Sequence, residues 1–199
     1  MAADLSSGGG GRERILRAAS RLFLSQGYAA TSTRDIALAA GIRQPSLYHH
    51  FATKADILHA VALATVEPSL RKAEELAADE KLQPFDRLMA LVDFDVRLLW
   101  ESDRSSSAFA LVAQGTVVEM DGPIDRFSEL QWFYRSFIIG SSPGWGDLSG
   151  DGLVGVIFSM IEGVVFRRAY EEVDVDEVAQ QTMAAVARLL TQPETRMKR

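Results

Sequence analysis

Residues 31–54 read TSTRDIALAAGIRQPSLYHHFATK, and the fold of the chain turns on this stretch. Ser32 to Asp35 has the spacing of a capping box, in which the hydroxyl takes an orphan helix amide and the acid reaches back, so a helix starts at Thr33. Its inward side chains are Ile36 and Ala40, and Gly41 ends it. After one apolar plug, Ile42, a second short helix runs from Gln44 to about His50. Pro45 fits its first turn, where the amides have no intrahelical partner anyway. Thr53 to Asp56 repeats the capping-box spacing and opens a longer helix with Ile57, Leu58, Val61 and Ala62 inward. Pro68 is expected to kink or end that helix.

Two short helices joined by a tight turn at Gly41 make a helix-turn-helix. Ala37 and Ala40 are small enough to let the helices cross closely. Ile36, Ile42, Leu47 and Phe51 can seal the corner against a preceding helix that carries Ile15, Ala19, Leu22 and Phe23 in one apolar stripe and stops at Gly27. In such a motif the second helix enters the DNA major groove by its N-terminal end, so Arg43, Gln44, Pro45 and Ser46 face base edges. Gln44 suits adenine, Arg43 suits guanine, and Pro45 offers apolar contact to a thymine methyl. Tyr48, His49, His50 and Lys54 are expected at phosphates, where they fix register. Thr33 and Arg34, at the start of the first motif helix, complete the candidate DNA-binding set.

The formal net charge is −6, which by itself argues against nucleic acid. Its distribution reverses that reading. Residues 12–60 hold seven Lys/Arg against three Asp/Glu, a net of +4, while residues 61–199 hold 14 against 23, a net of −9. A small basic head on an acidic body suits a DNA reader attached to a domain that should avoid DNA.

The same 24 residues resemble the signature of the TetR family of transcription regulators. The likeness lies in the Thr33-x-x-Ile36-Ala37 start, the Ala40-Gly41-Ile42 turn, the Ser46-Leu47-Tyr48 core and the His50-Phe51-x-x-Lys54 end. It extends from Arg12 to about Val61. One departure is Arg43, where many members carry Ser, so the recognition helix lacks that N-cap. The resemblance implies a double-stranded DNA operator as partner and a divergent C-terminal domain that binds a small-molecule effector. It also implies a homodimer formed by the last two helices.

Outside the signature, residues 1–11 (MAADLSSGGGG) lack an apolar period and are expected to be a flexible tail. The expected organisation is therefore tail 1–11, DNA-binding domain 12–66, and effector-binding and dimerisation domain 67–199. Helical patterns continue near 69–80, 84–101, 105–118, 122–140, 152–171 and 175–191, with Ser141–Gly150 as a long loop. The fold class is all-α.

Eight of the 17 aromatic residues fall between Phe94 and Phe137, as an ordinary aromatic core or as the wall of an apolar pocket. On the pocket reading, the lining is Phe94, Asp95, Leu98, Phe109, Phe127, Phe133 and Phe137. Asp95 stands within an apolar helical arc beside Val92, Val96 and Leu99, where a carboxylate needs a partner to offset its desolvation. That partner is an effector's donor or cation, or an internal arginine such as Arg135; the internal pair is favoured, since buried charges are usually satisfied within the protein. Near the C-terminus, Gly155, Ser159 and Gly163 recur every four residues, and Val178, Thr182, Ala185, Val186 and Leu189 share one side of the last helix. These are the candidate dimer-interface residues, with burial inside one monomer as the alternative.

Other chemistry finds little support. The chain has no cysteine, which excludes disulfides and thiolate sites. No segment has the length of a membrane span, and no basic-then-apolar leader is present, so a cytoplasmic protein with no membrane partner is expected. Gly140-Ser141-Ser142-Pro143-Gly144 is a literal G-x-S-x-G, but the residue after the serine is a proline with no N–H for an oxyanion. Asp147 to Gly152 resembles the start of a calcium loop whose twelfth position is Phe158 rather than Glu. The three histidines, His49, His50 and His59, are not spaced to share a helical face. No catalytic residue, metal site or cofactor is expected. The function expected is a ligand-responsive DNA-binding regulator, most simply a repressor. The rival is a helical small-molecule binding protein or enzyme with a vestigial helix-turn-helix.

Overall fold

The computed structural model describes residues 10–101, 121–141 and 150–191, and among these it contains eight α-helices and no strand. They are α1 (Gly11–Gln26), α2 (Thr33–Ala39), α3 (Gln44–His50), α4 (Lys54–Ala78), α5 (Pro84–Glu101), α6 (Asp121–Ser141), α7 (Gly150–Tyr170) and α8 (Val175–Thr191). The expected helix over 105–118, with Phe109, lies outside the described residues, as do residues 142–149 of the expected loop.

Among the described residues, 10–65 and 121–124 gather into one compact unit, and 66–101, 125–141 and 150–191 into a second. In the first unit, α1, α2 and α3 pack on one another. Ile15, Ala19, Phe23, Ile36, Leu47 and Ile57 are fully buried, and Ile42 packs on the edge of their cluster. Both capping boxes form. Ser32 Oγ accepts from the Asp35 amide at 3.1 Å while Asp35 takes the Ser32 amide at 3.0 Å. Thr53 Oγ1 accepts from the Asp56 amide at 3.1 Å and Asp56 answers at 2.9 Å.

The turn between α2 and α3 closes by a Schellman arrangement. The Ile42 amide reaches back to the Ala37 carbonyl at 3.0 Å and the Gly41 amide to Leu38 at 3.1 Å. Gly41 has φ +66°, the left-handed region where a side chain is penalised, which is why the chain has glycine there.

Pro68 does not end the helix: one 25-residue helix, α4, runs from Lys54 to Ala78 with Pro68 inside it. The reason is packing. Val66, Leu70, Ala73 and Leu76 keep a buried stripe at three- and four-residue spacing across the proline. Burying Val66 and Leu70 contributes about 1.5–3 kcal/mol each, enough to offset the ~3 kcal/mol that an interior proline costs.

In the second unit α5 packs against both α7 and α8. Leu88, Leu91, Val92 and Val96 of α5 are fully buried, with Tyr134 and Ile138 of α6, Ile157 of α7 and Val178 and Val186 of α8. The rings of Phe127 and Tyr134 each lie about 5 Å from that of Phe158. Polar ties hold the helix surfaces together: Arg126 bridges Glu67 of α4 and Glu129, and Arg97 bridges Asp93 and, across to α8, Asp176. Arg168 of α7 donates to the Trp100 carbonyl at the end of α5, where a cation also favours the helix dipole. At Gly140 a Cβ would stand 2.8 Å from Pro84 Cβ, so only glycine lets the end of α6 approach the start of α5 this closely.

Candidate functional site

In α3 only Leu47 is buried, and it fastens the helix to α1 and α2. Every other residue from Arg43 to His50 is exposed, so Arg43, Gln44, Pro45 and Ser46 form a contiguous outward surface with Tyr48, His49 and His50. Arg43 occupies the N-cap position without a side-chain cap bond, as its departure from Ser implies.

A hydrogen-bonded chain links the two motif helices at this surface. Gln44 Nε2 donates to Thr33 Oγ1 at 3.3 Å, and Thr33 Oγ1 lies 3.1 Å from the Tyr48 hydroxyl. Thr33 thus occupies one of the two amide hydrogens of Gln44. The second hydrogen and Oε1 remain, and these are the pair that an adenine edge requires. Arg34 is exposed on α2.

Two of the expected phosphate contacts are placed differently from their neighbours. Lys54 is half-buried, and its ammonium donates to the backbone carbonyls of Tyr28 at 2.8 Å and Thr31 at 2.9 Å while standing 4.1 Å from the Tyr28 ring centroid. Two of its three donors therefore tie down the α1–α2 connection. The His50 ring lies over Gly11 at the start of α1, so close that a Cβ at Gly11 would stand 2.8 Å from Nε2. Tyr28 and Thr31 were not legible as partners, because a long lysine side chain reaches carbonyls that only the folded loop brings near.

In the second unit the pocket candidates separate. Phe94, Leu98, Phe127 and Phe133 are half-buried and Phe137 is buried. Phe133 contacts Trp132 and Phe137 by its ring, at 5.1 and 6.2 Å, whereas Phe127 turns to Phe158. A pocket of about 290 Å³ opens at Ser128, Gln131, Trp132, Arg135 and Val154, none of them among the expected lining.

Asp95 is buried as expected, but among the described residues no arginine pairs with it. Tyr134, the residue before Arg135, donates its hydroxyl to Oδ2 at 2.7 Å. Ser69 of α4 adds a second hydroxyl, and Oδ1 receives no hydrogen bond among the described residues. Burial pushes the Asp95 carboxyl up to about 6, against the two hydrogen bonds that lower it, and the charge of Glu162 on α7 raises it further. Burial and the Asp95 charge raise Tyr134 well above its ordinary value, so it remains a donor.

The dimer candidates also divide. Gly155 and Ser159 are exposed on α7 and Gly163 is partly so, and Val156 beside them is 43% exposed. On α8, Ala185 and Leu189 are half-buried, but Val178, Thr182 and Val186 are buried inside the single chain, on a helix that α5 covers.

A basic helix-turn-helix unit joined to a helical second unit defines a class of DNA-binding regulator. The family profile of bacterial regulatory proteins, tetR family, matches residues 15–61. The chain is similar to the crystal structure of AmtR of Mycobacterium smegmatis, with TM-score 0.78 and 33% identity over 94% of this chain and 89% of that one. The chain belongs to the tetR family. It is also 36% identical over 108 residues to the HTH-type transcriptional repressor KstR2 of Rhodococcus jostii, a match that covers 54% of this chain and about half, 51%, of that repressor's length. The structure of the ketosteroid transcriptional regulator KstR2 of Mycobacterium tuberculosis shares the fold, with TM-score 0.75 and 22% identity over 94% of this chain and 98% of that one. Among the described residues no helix is long and apolar enough to cross a membrane, and no group of three His, Asp or Glu could hold a metal.

Proposed function

We propose that the chain is a DNA-binding transcriptional repressor, working as a homodimer on a near-palindromic operator in the cytoplasm and released by a small effector in its second unit. The observation that carries this reading is the outward surface of α3, where Leu47 alone is buried and the Gln44 amide is held by Thr33. Arg43, Gln44, Pro45 and Ser46 read bases; Tyr48, His49, His50 and Arg34 position the backbone. Lys54 acts chiefly by holding the loop before α2, with one donor left for a phosphate. The named repressors among the relatives support the direction of regulation. Effector release follows from linkage: a ligand that prefers the conformation unsuited to DNA lowers operator affinity a hundredfold with about 2.7 kcal/mol of differential binding.

A gel shift on the DNA upstream of the chain's own gene tests the reading. The wild type should bind one site specifically, and Gln44→Ala should lose about 1–3 kcal/mol on that site while its weak binding to unrelated DNA stays the same. Absence of any sequence-specific shift would leave the rival reading, a small-molecule binder with an idle helix-turn-helix.

A further inference from the structure

Gln44 and Tyr48 stand four residues apart on α3, so both side chains leave the same face of that helix. They meet at one hydroxyl: Thr33 Oγ1, at the first position of α2, lies 3.3 Å from Gln44 Nε2 and 3.1 Å from the Tyr48 hydroxyl. Thr33 is well fixed for this. Ser32 before it closes a capping box, and Ile36 and Ala37 one turn further on are buried.

The hydrogens available decide what Gln44 can read. A carboxamide has two hydrogens on nitrogen and an oxygen that only accepts. In the major groove adenine shows one acceptor, N7, and one donor, its N6 amine, whereas guanine shows two acceptors, N7 and O6. A glutamine without other bonds suits either edge, because both of its hydrogens can turn to guanine. With one hydrogen engaged by Thr33, a single hydrogen and Oε1 remain. That pair fits adenine and leaves one guanine acceptor unmet.

Tyr48 sets the direction of this chain. Threonine and tyrosine hydroxyls carry one hydrogen each. When Tyr48 gives its hydrogen to a DNA phosphate, Thr33 must give its own to the Tyr48 oxygen, and only lone pairs are left for Gln44. The carboxamide then keeps its nitrogen towards Thr33. Without the Tyr48 hydroxyl, Thr33 can donate to Gln44 Oε1 instead; the amide turns over, and both of its hydrogens face the base.

We propose that Thr33 and Tyr48 are specificity-determining positioning residues, which fix the Gln44 carboxamide so that it accepts adenine and rejects guanine. The proposal rests on the reading of α3 as the base-reading helix, and it makes a backbone contact at Tyr48 part of base recognition. Tyr48 is 48% exposed and Thr33 is half-buried at a helix start, so trimming either hydroxyl leaves the core intact.

The test uses the full chain and a pool of random DNA duplexes. Selection from the pool defines a site, and Gln44→Ala marks the position that Gln44 reads by losing its preference there. Gel shifts then compare the selected duplex with one that carries guanine for adenine at that position. The wild type should prefer adenine by about tenfold, as one good bidentate pair provides. Thr33→Val, which keeps the shape of the side chain and loses the hydroxyl, should bring that ratio near one, and so should Tyr48→Phe. Thr33→Ser should keep it. Side chains that only touched phosphates would lower both affinities together and leave the ratio as it was. An unchanged ratio in Thr33→Val or Tyr48→Phe, a collapsed ratio in Thr33→Ser, or a Gln44 preference for another base each overturns the proposal. Should the Val variant not fold, the wild-type complex decides by nuclear magnetic resonance: Overhauser contacts between the Gln44 amide hydrogens and the Thr33 side chain must persist on the selected duplex, and their absence overturns the proposal. The two readings fail differently. A chain that selects no site sinks the regulator reading and the positioning role together, whereas one that selects a site with the ratio unmoved by these variants sinks the positioning role alone.

Discussion

The folded chain holds the Asp95 carboxyl near 6, whereas in the unfolded chain it titrates near its ordinary value of about 3.9. Between those two values the native state binds more protons than the unfolded state, so stability must fall as pH rises from 4 through 6 and then level off. The two-unit difference corresponds to a loss of about 2–3 kcal/mol from this one group. Asp95→Asn removes that component and keeps an acceptor for Tyr134. Urea denaturation at pH 4.5 and 8 should therefore show the variant gaining on the wild type as pH rises; equal pH slopes would show that Asp95 does not titrate as its burial requires.

What the sequence reveals at this scale is burial, and what it hides is partnership. Helical periodicity puts Asp95 on the inner arc of α5 without help from the fold. Whether Tyr134 or Arg135 meets it depends on the rotation of α6, where neighbouring residues point about 100° apart. Lys54 shows the same limit: its place at the end of the signature is plain, but the carbonyls of Tyr28 and Thr31 reach it only through the folded loop.

At the scale of elements, α2, α3 and the start of α4 are written almost completely in local chemistry: a capping box before α2 and another before α4, a proline in the first turn of α3 and one left-handed glycine. Gly41→Ala tests the last of these directly. A Cβ there meets nothing within 4 Å, so the whole cost is conformational, about 1–2 kcal/mol. Equilibrium denaturation should show that loss; no loss would mean that the turn relaxes to another geometry. α4 was less legible for the opposite reason. Local chemistry argues for a break at Pro68, and tertiary burial of Val66 and Leu70 overrides it.

For the whole molecule, the small-residue stripe on α7 is open in the single chain at Gly155 and Ser159, with Val156 exposed beside it. The α8 residues once assigned to the same interface are already occupied by the chain's own core at Val178, Thr182 and Val186. Both helices have an apolar side, and sequence periodicity cannot say which partner covers it, α5 of the same chain or a second copy. The proposed homodimer should therefore depend on α7. Val156→Glu places a charge at the edge of that stripe and should give a folded monomer by sedimentation at micromolar concentration. A variant that stays dimeric would move the interface elsewhere.

Trp132 stands 61% exposed at the rim of the pocket formed with Ser128, Gln131, Arg135 and Val154, its edge against Phe133. An indole in water emits toward the red and one that is covered emits toward the blue, so the molecule carries a native fluorophore at that opening. Trp100 is half-buried near the end of α5, which makes its colour far less responsive to events at the surface. Anything that settles over the α6 rim, whether a small molecule or another protein surface, should announce itself as a blue shift in steady-state emission, without a dye and without altering a residue.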